Sequence, residues 1–247
     1  LIGTHDVELI ASHGQTLFHW VEANHALGTL QLGEPSWIAN ATGRPVLSNI
    51  RARDLTVGGH GAPLVSLIDE MMFGNSEAPV GALNLGGISN ITVTSKNLDP
   101  IAYDIGPANG LLDAAIQAHS KGALQYDENA AIAKNGNVNS KILEELLAEP
   151  YYAEQPPKST GKELFHLPYI ISYFGPVESW DLPTVLRTLL ELTVETVARE
   201  VERFELSHLY VHGGGSANPL MMSRLSERLP TCEVAPMSVL GLDPRQK

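Results

Sequence analysis

Three glycine-centred turns, each closing an apolar run, limit most what this chain can fold into: Leu83-Asn84-Leu85-Gly86-Gly87-Ile88-Ser89-Asn90, Tyr103-Asp104-Ile105-Gly106-Pro107-Ala108-Asn109 and Val211-His212-Gly213-Gly214-Gly215-Ser216-Ala217-Asn218. Glycine has no Cβ, so backbone can pass close to other backbone or to a ligand there. Where a strand ends in such a turn and a helix follows, main-chain N–H groups point at an anion above the helix start. The pattern predicts an α/β fold with a site suited to phosphates and sugars.

The periodicities around these turns supply the remaining elements. Val7 to Ala11 reads as a strand ending at Ser12-His13-Gly14, with further strands at Leu27 to Leu32 and Val46 to Ser48 and a short helix over Trp37 to Ala41 after Pro35. Arg51 to Leu64 is polar and glycine-rich, a functional loop leading into an amphipathic helix from Val65 to Phe73. Val80 to Leu85 and Ile88 to Thr94 flank Gly86-Gly87, a pair suited to a two-residue hairpin because both positions tolerate positive φ. Leu111, Leu112, Ala115 and Ile116 keep helical spacing after Asn109, a good N-cap type. Leu186, Leu190, Val194, Val197, Val201 and Phe204 recur at steps of three and four, predicting a long helix from Val185 to Phe204. Leu209-Tyr210-Val211 predicts a strand, and Asn218-Pro219 offers an N-cap and N1 proline for a helix over Leu220 to Arg228. The apolar pattern breaks between Gly74 and Pro79, which divides the chain into 1–79 and 80–247.

Composition narrows the function classes. A formal charge of -12 with 16 scattered Lys and Arg residues argues against general nucleic-acid binding, which needs clustered cations. No run approaches the roughly 20 apolar residues that cross a bilayer, so the expectation is a cytoplasmic protein with neither membrane nor nucleic acid as partner. Cys232 is the single cysteine, which rules out an internal disulfide and fits a reducing compartment; in Thr231-Cys232-Glu233-Val234-Ala235 it reads as a strand residue. The nine histidines show no metal-ligand spacing, so no metal ligand is assigned. Leu1 is not an initiator methionine and Asp243 to Lys247 ends without a terminal helix, so the chain reads as a fragment.

Each candidate site has two readings. Gly86-Gly87, with Ser89 and Asn90 beside it, is either an anion-binding concavity or a plain hairpin turn. Gly213-Gly214-Gly215 before a capped helix suits a flat ligand or a phosphate. Asp104 should sit at the carboxyl end of a strand, as a general base or as an Asx-type turn stabiliser. Arg51 and Arg53 would face one side of an extended segment and grip an anionic or polyhydroxylated ligand, or form a solvated charge cluster. Ser12-His13-Gly14-Gln15-Thr16 gathers hydrogen-bonding side chains, although His13 could equally be a satisfied core residue. Gly161-Lys162 lacks the upstream glycine of a Walker A loop, and neither His-Glu-x-x-His nor Gly-x-Ser-x-Gly occurs.

Taken in order, Ser12 to Thr16, Arg51 to Leu64, Leu83 to Asn90, Asp104 to Asp113, Pro157-Lys158-Ser159-Thr160-Gly161 and Val211 to Leu220 resemble the anhydro-N-acetylmuramic acid kinase family over nearly the whole chain. The resemblance implies an actin/hexokinase-like (ribonuclease H-like) α/β fold of two lobes, incomplete at both termini. It places a partial first lobe with sugar-side loops in 1–79. The phosphate hairpin, the catalytic aspartate and the nucleoside-binding glycine turn fall in 80–247. It implies ATP and Mg²⁺, an anhydro amino sugar as small-molecule partner, and a homodimer. The reaction implied opens 1,6-anhydro-N-acetylmuramic acid with water and phosphorylates O6, with Asp104 taking the water's proton, as a step of peptidoglycan recycling. By the same carry-over Gly86, Gly87, Ser89, Asn90, Gly213, Gly214, Gly215 and Asn218 bind nucleotide. Ser12, His13, Gln15, Arg53, Gly59, His60, Gly61, Gly106 and Asn109 bind the sugar, with Arg53 suited to a bidentate grip on its carboxylate or a hydroxyl.

The chain departs from the family pattern in three places. His60 stands where the family usually has glutamine. The family's N-terminal phosphate loop and its C-terminal helix with a site glutamate lie outside these residues. Two alternatives therefore stay open: a kinase for another 1,6-anhydro sugar such as levoglucosan, or an inactive fragment that binds sugar or nucleotide.

Overall fold

The computed structural model describes residues 6–22, 25–61, 64–161 and 163–243. Ala62 and Pro63 of the predicted loop, Lys162, and the tail from 244 onward lie outside the described residues. The chain divides into two compact units, 1–64 and 65–247. The division comes earlier than the expected 79/80 boundary because the helix over Ser66–Phe73 packs on the sheet of the second unit.

In the first unit, β1 (Ile10–Ala11) pairs in parallel with β4 (Val46–Leu47), and β2 (Gln15–Glu22) pairs antiparallel with β3 (His25–Leu32). Helix α1 (Pro35–Thr42) begins with proline in its first turn and ends at Gly43, whose left-handed backbone returns its N–H to the Ala39 carbonyl. Strand β2 escapes the sequence reading because it lacks apolar alternation: Leu17 and Phe18 are neighbours, yet both are more than half exposed. The segment after Asn49 is also not a continuous loop, since Ala52–Thr56 forms a short helix, α2. Arg51 and Arg53 therefore do not share a side as they would in a strand, which corrects the extended reading.

The second unit is built on a five-stranded sheet of order β7-β6-β5-β8-β9, with β5 Val80–Leu85, β6 Ile88–Ser95, β7 Leu98–Pro107, β8 His208–His212 and β9 Glu233–Pro236. Only β6 runs against its neighbours. An order 3-2-1-4-5 with the second strand reversed is that of a ribonuclease H-like lobe, as the family resemblance implied. The helices are α3 (Ser66–Phe73), α4 (Asn109–His119), α5 (Ser140–Leu147), α6 (Leu167–Phe174), α7 (Leu182–Arg203) and α8 (Pro219–Arg228).

Strand alternation assigns the two faces. Leu83, Ile91, Tyr103 and Val211 point to one side and join α4, α6, α7 and α8 in the main core. On the other side Val80 and Ala82 meet Phe73 of α3 and Met237, with Tyr210 stacked on Phe73 at 5.0 Å between ring centroids. Thr92 Oγ1 donates to Asp69 Oδ2 at 2.7 Å, fastening α3 to β6. Helix α7 is buried on more than its apolar stripe. Its Glu191 accepts from Arg224 Nη2 at 2.8 Å and Nε at 3.2 Å, a fork that ties α7 to α8.

Cys232 lies one residue before β9 and is buried. Burial pushes its thiol up to about 11, with the Glu233 charge adding to the effect. The thiolate is the reactive form, so a raised pKa leaves less of it at any pH below that value. The expected outcome is slow labelling of the native protein by a thiol reagent at mildly alkaline pH and fast labelling in denaturant, followed by absorbance. Equal rates would place the thiol at the surface.

Candidate functional site

The end of β5 organises the site of the second unit. Across the sheet Asp104 is paired with Asn90, Asn90 with Asn84, and Asn84 with His212. Registered partners share a face, so a polar row of four side chains continues the face that carries Ala82 and Thr92. Register between β6 and β7 slips here, with Ile105 the extra residue on β7. Such a bulge re-aims neighbouring side chains and is common beside functional sites.

Asp104 is only 8% exposed. Its N–H donates to the Lys158 carbonyl at 3.1 Å, its carbonyl accepts from the Tyr151 hydroxyl at 2.6 Å, and its Oδ2 accepts from the Thr160 N–H at 3.1 Å. Because β7 is an edge strand, the 158–160 segment acts as its outer neighbour. The Thr160 N–H gives the buried carboxylate a fixed donor and so sets its orientation. Asp104 lies within β7, which continues to Pro107, rather than at the strand's final residue.

The hairpin, α4 and the Gly213 turn close on the same point. The N–H groups of Ala108 and Gly110 donate to the Gly87 carbonyl and that of Asn109 to the Gly86 carbonyl, each at 3.0 Å. These donors at the start of α4 are thus engaged by the hairpin. Asn109 is the first helical residue and Ala108 the cap, so the expected Asn109 N-cap is corrected; its side chain donates instead to the Leu85 carbonyl at 2.9 Å. Neither Gly86 nor Gly87 has positive φ, contrary to the hairpin expectation. Glycine is needed for approach: a Cβ on Gly110 would lie 2.8 Å from the Gly87 oxygen. On Gly213 it would lie 2.4 Å from Asn84 Oδ1, and on Gly215 2.6 Å from Leu85 Cβ. Gly214 meets nothing closer than Asn109 Nδ2 at 3.6 Å, and it is exposed, as is Gly87.

Several predicted residues act within the scaffold. Ser89 is fully buried and its hydroxyl donates to the Gly106 carbonyl at 3.0 Å, pinning β6 to β7 rather than projecting outward. Gly106 is buried where a Cβ would lie 2.7 Å from Tyr152 Cε1. Asn218 caps α8 as predicted, its side chain accepting from the Met221 N–H at 3.0 Å. Asn90 is half-buried in the polar row.

The first unit gathers its own cluster. His13 Nδ1 lies 2.7 Å from the Gly14 carbonyl and its Nε2 accepts from Arg51 Nε at 3.1 Å, which assigns the Nδ1–H tautomer. Arg51 Nη1 also donates to the Gly61 carbonyl, and the Gly61 N–H donates to Asp54 Oδ2 at 2.6 Å. Arg51 thus links the Ser12-His13-Gly14 loop to the Gly59-His60-Gly61 loop. Ser12 and His60 are half-buried there, and a Cβ on Gly59 would strike Asp54. Gln15 is exposed at the start of β2 and Arg53 exposed on α2.

Sequence comparison matches residues 2–247 to the anhydro-N-acetylmuramic acid kinase family. The chain belongs to this family. The anhydro-N-acetylmuramic acid kinase of Streptomyces coelicolor is 46% identical over 234 residues, which cover 95% of this chain and 60% of that protein. The one from Photobacterium profundum is 42% identical over 253 residues, covering 98% and 66%. The chain thus spans about 60% of the length of its Streptomyces relative. Among solved structures, the activator of 2-hydroxyisocaproyl-CoA dehydratase from Clostridium difficile, with bound ADPNP, aligns at TM-score 0.43 and 12% identity over 78% of this chain and 60% of its own.

For this family member, reading the sequence missed Asn84, Gly110, Tyr151 and the purpose of the Lys158 to Thr160 segment. Asn84 carries a signal in retrospect, as a polar residue in an otherwise apolar strand that ends in glycines. The others depend on contacts between distant segments. Among the described residues no three His, Cys, Asp or Glu side chains gather in a metal-holding cluster.

Gly110→Ala tests the close approach. In an ordinary helix the change stabilises by up to about 1 kcal/mol. Here the sign should reverse, because the blocking atom is backbone and overpacking costs about 1–3 kcal/mol. Urea unfolding should show a net loss of roughly 1–2 kcal/mol. A stabilised variant would mean that the hairpin and α4 are free to separate.

Proposed function

We propose that the chain works as an ATP-dependent kinase that opens 1,6-anhydro-N-acetylmuramic acid with water and phosphorylates O6, giving N-acetylmuramic acid 6-phosphate for peptidoglycan recycling in the cytoplasm. The observation that carries this reading is Asp104, a carboxylate held by a backbone donor on a polar sheet face, in a chain of this kinase family.

Asp104 takes a proton from water as the water oxygen bonds to C1. The C1–O6 bond breaks, O6 bonds to the γ-phosphorus of ATP, and ADP leaves with the electron pair of the broken P–O bond. Phosphoryl transfer asks the protein mainly for positioning and charge stabilisation. The exposed Gly87 and Gly214 flank the end of β5 and leave space for phosphates and nucleoside there, with Asn90 and Asn84 as side-chain donors. Bound together with ATP, Mg²⁺ would neutralise charge on the phosphate oxygens, which are themselves the hard donors such an ion takes. Ser12, His13, Gln15, Arg53 and the Gly59 to Gly61 loop would serve the sugar, Arg53 by its exposed fork. A homodimer remains part of the proposal.

Asp104→Asn in the full-length product of the gene should abolish formation of the 6-phosphate while nucleotide affinity stays within a few-fold, because an amide of like shape accepts no proton. Turnover near the native rate would remove Asp104 from the base role.

Arg53→Ala should weaken binding of anhydro-N-acetylmuramic acid roughly tenfold or more, the value of a lost charge-assisted contact. A neutral anhydro sugar without the lactyl group should be affected far less. An equal penalty for both sugars, read from KM or calorimetry, would show that Arg53 does not read the carboxylate.

A further inference from the structure

Lysine almost always keeps its ammonium in water, yet Lys158 is 3% exposed. Its Nζ donates to the Tyr151 carbonyl at 3.2 Å and, at the limit of hydrogen bonding, lies 3.5 Å from the Tyr152 carbonyl. It sits 4.7 Å from the centroid of the Tyr151 ring and 6.0 Å from that of Tyr103. Burial draws its pKa down, the nearby Glu200 and Glu154 charges oppose that, and Arg203 reinforces it. Glu200 is itself anchored, accepting from the Tyr103 hydroxyl at 2.7 Å.

The same two segments that Nζ ties together hold Asp104 at three points. Residues 158–160 take its N–H and supply a donor to its carboxylate, and Tyr151 supplies the hydroxyl on its carbonyl. We propose that Lys158 is the positioning residue of Asp104: it fastens the Tyr151 turn to the 158–160 segment beneath β7, and so aims a carboxylate it does not touch. The inference rests on the reading of Asp104 as base. A purely structural lysine would be a poor choice at this place. An apolar side chain of similar volume fills such a site as well or better, because a buried charge carries a desolvation penalty.

Lys158→Met separates the two roles, since it keeps volume and removes both charge and donor. Carbon-13 NMR of aspartate-labelled chain, with Asp104 assigned through Asp104→Asn, reads the carboxylate. The Asp104 midpoint should rise by about one unit as the Thr160 bond loosens. In the full-length gene product kcat should fall about 10- to 100-fold with KM within about threefold, since displacement by about 1 Å costs on that order. Tyr151→Phe keeps the ring and loses only the bond to the Asp104 carbonyl; it should shift both readings in the same direction, and the double variant should add little to Lys158→Met alone.

A folded Lys158→Met protein with native titration and kcat overturns the proposal. If that variant does not fold, Tyr151→Phe decides: native values there overturn it, and a shifted titration supports it. Asp104→Asn with full turnover beside a shifted titration in Lys158→Met would sink the base reading and leave the positioning role standing.

Discussion

The last two residues of β5 are approached by backbone from three directions, and the second unit is arranged around that crowding. The hairpin leaves from Leu85, α4 starts against the hairpin carbonyls, and the Gly213 turn lies against Asn84 and Leu85. A Cβ at Gly110, Gly213 or Gly215 would meet an atom closer than van der Waals contact allows. The glycines are thus explained first by packing. Space for a ligand follows as a consequence, because elements drawn so close leave Gly87 and Gly214 exposed at the edge of the gathering.

Around this point the sheet changes character within one residue step. The row Tyr103, Ile91, Leu83, Val211 is fully buried and apolar, and the next row, Asp104, Asn90, Asn84, His212, is polar and faces the opposite way. A strand reverses side-chain direction at each residue. The main core can therefore press on one face while hydrogen-bonding groups line the other. The bulge at Ile105 lets β7 carry Asp104 into that row and still bury Ile105.

An edge strand is an unstable place for an aimed side chain, because half its backbone groups lack a sheet partner. The Lys158 to Thr160 segment answers this by pairing with Asp104 from outside, and the aromatic cluster of Tyr151, Tyr152, Phe165 and Tyr169 backs the segment. Burial raises the phenol pKa values of Tyr103 and Tyr151, keeping them as hydroxyl donors to Glu200 and to the Asp104 carbonyl. The Tyr151 hydroxyl therefore meets the Asp104 carbonyl as a donor throughout the neutral pH range.

Local signals were enough to read the glycine turns, the β5–β6 hairpin, α1, α4, α7 and the capped α8, and the family resemblance supplied the fold. Those features depend on periodicity, caps and backbone freedom, which neighbouring residues set. Strand β2 was not legible because its exposure ignores hydropathy, and the start of α4 was misread because Asn109 bonds to Leu85, 24 residues away. Ser89 reads as a ligand donor in isolation but is buried against Gly106, and Arg51 rather than Arg53 links the two loops of the first unit. The sequence by itself thus determined the glycine turns, the elements with regular periodicity or clear caps, and the family to which the chain belongs. Which side chains are left to act was decided by pairing across long separations, because hydrogen-bond partners and burial arise only when distant segments meet.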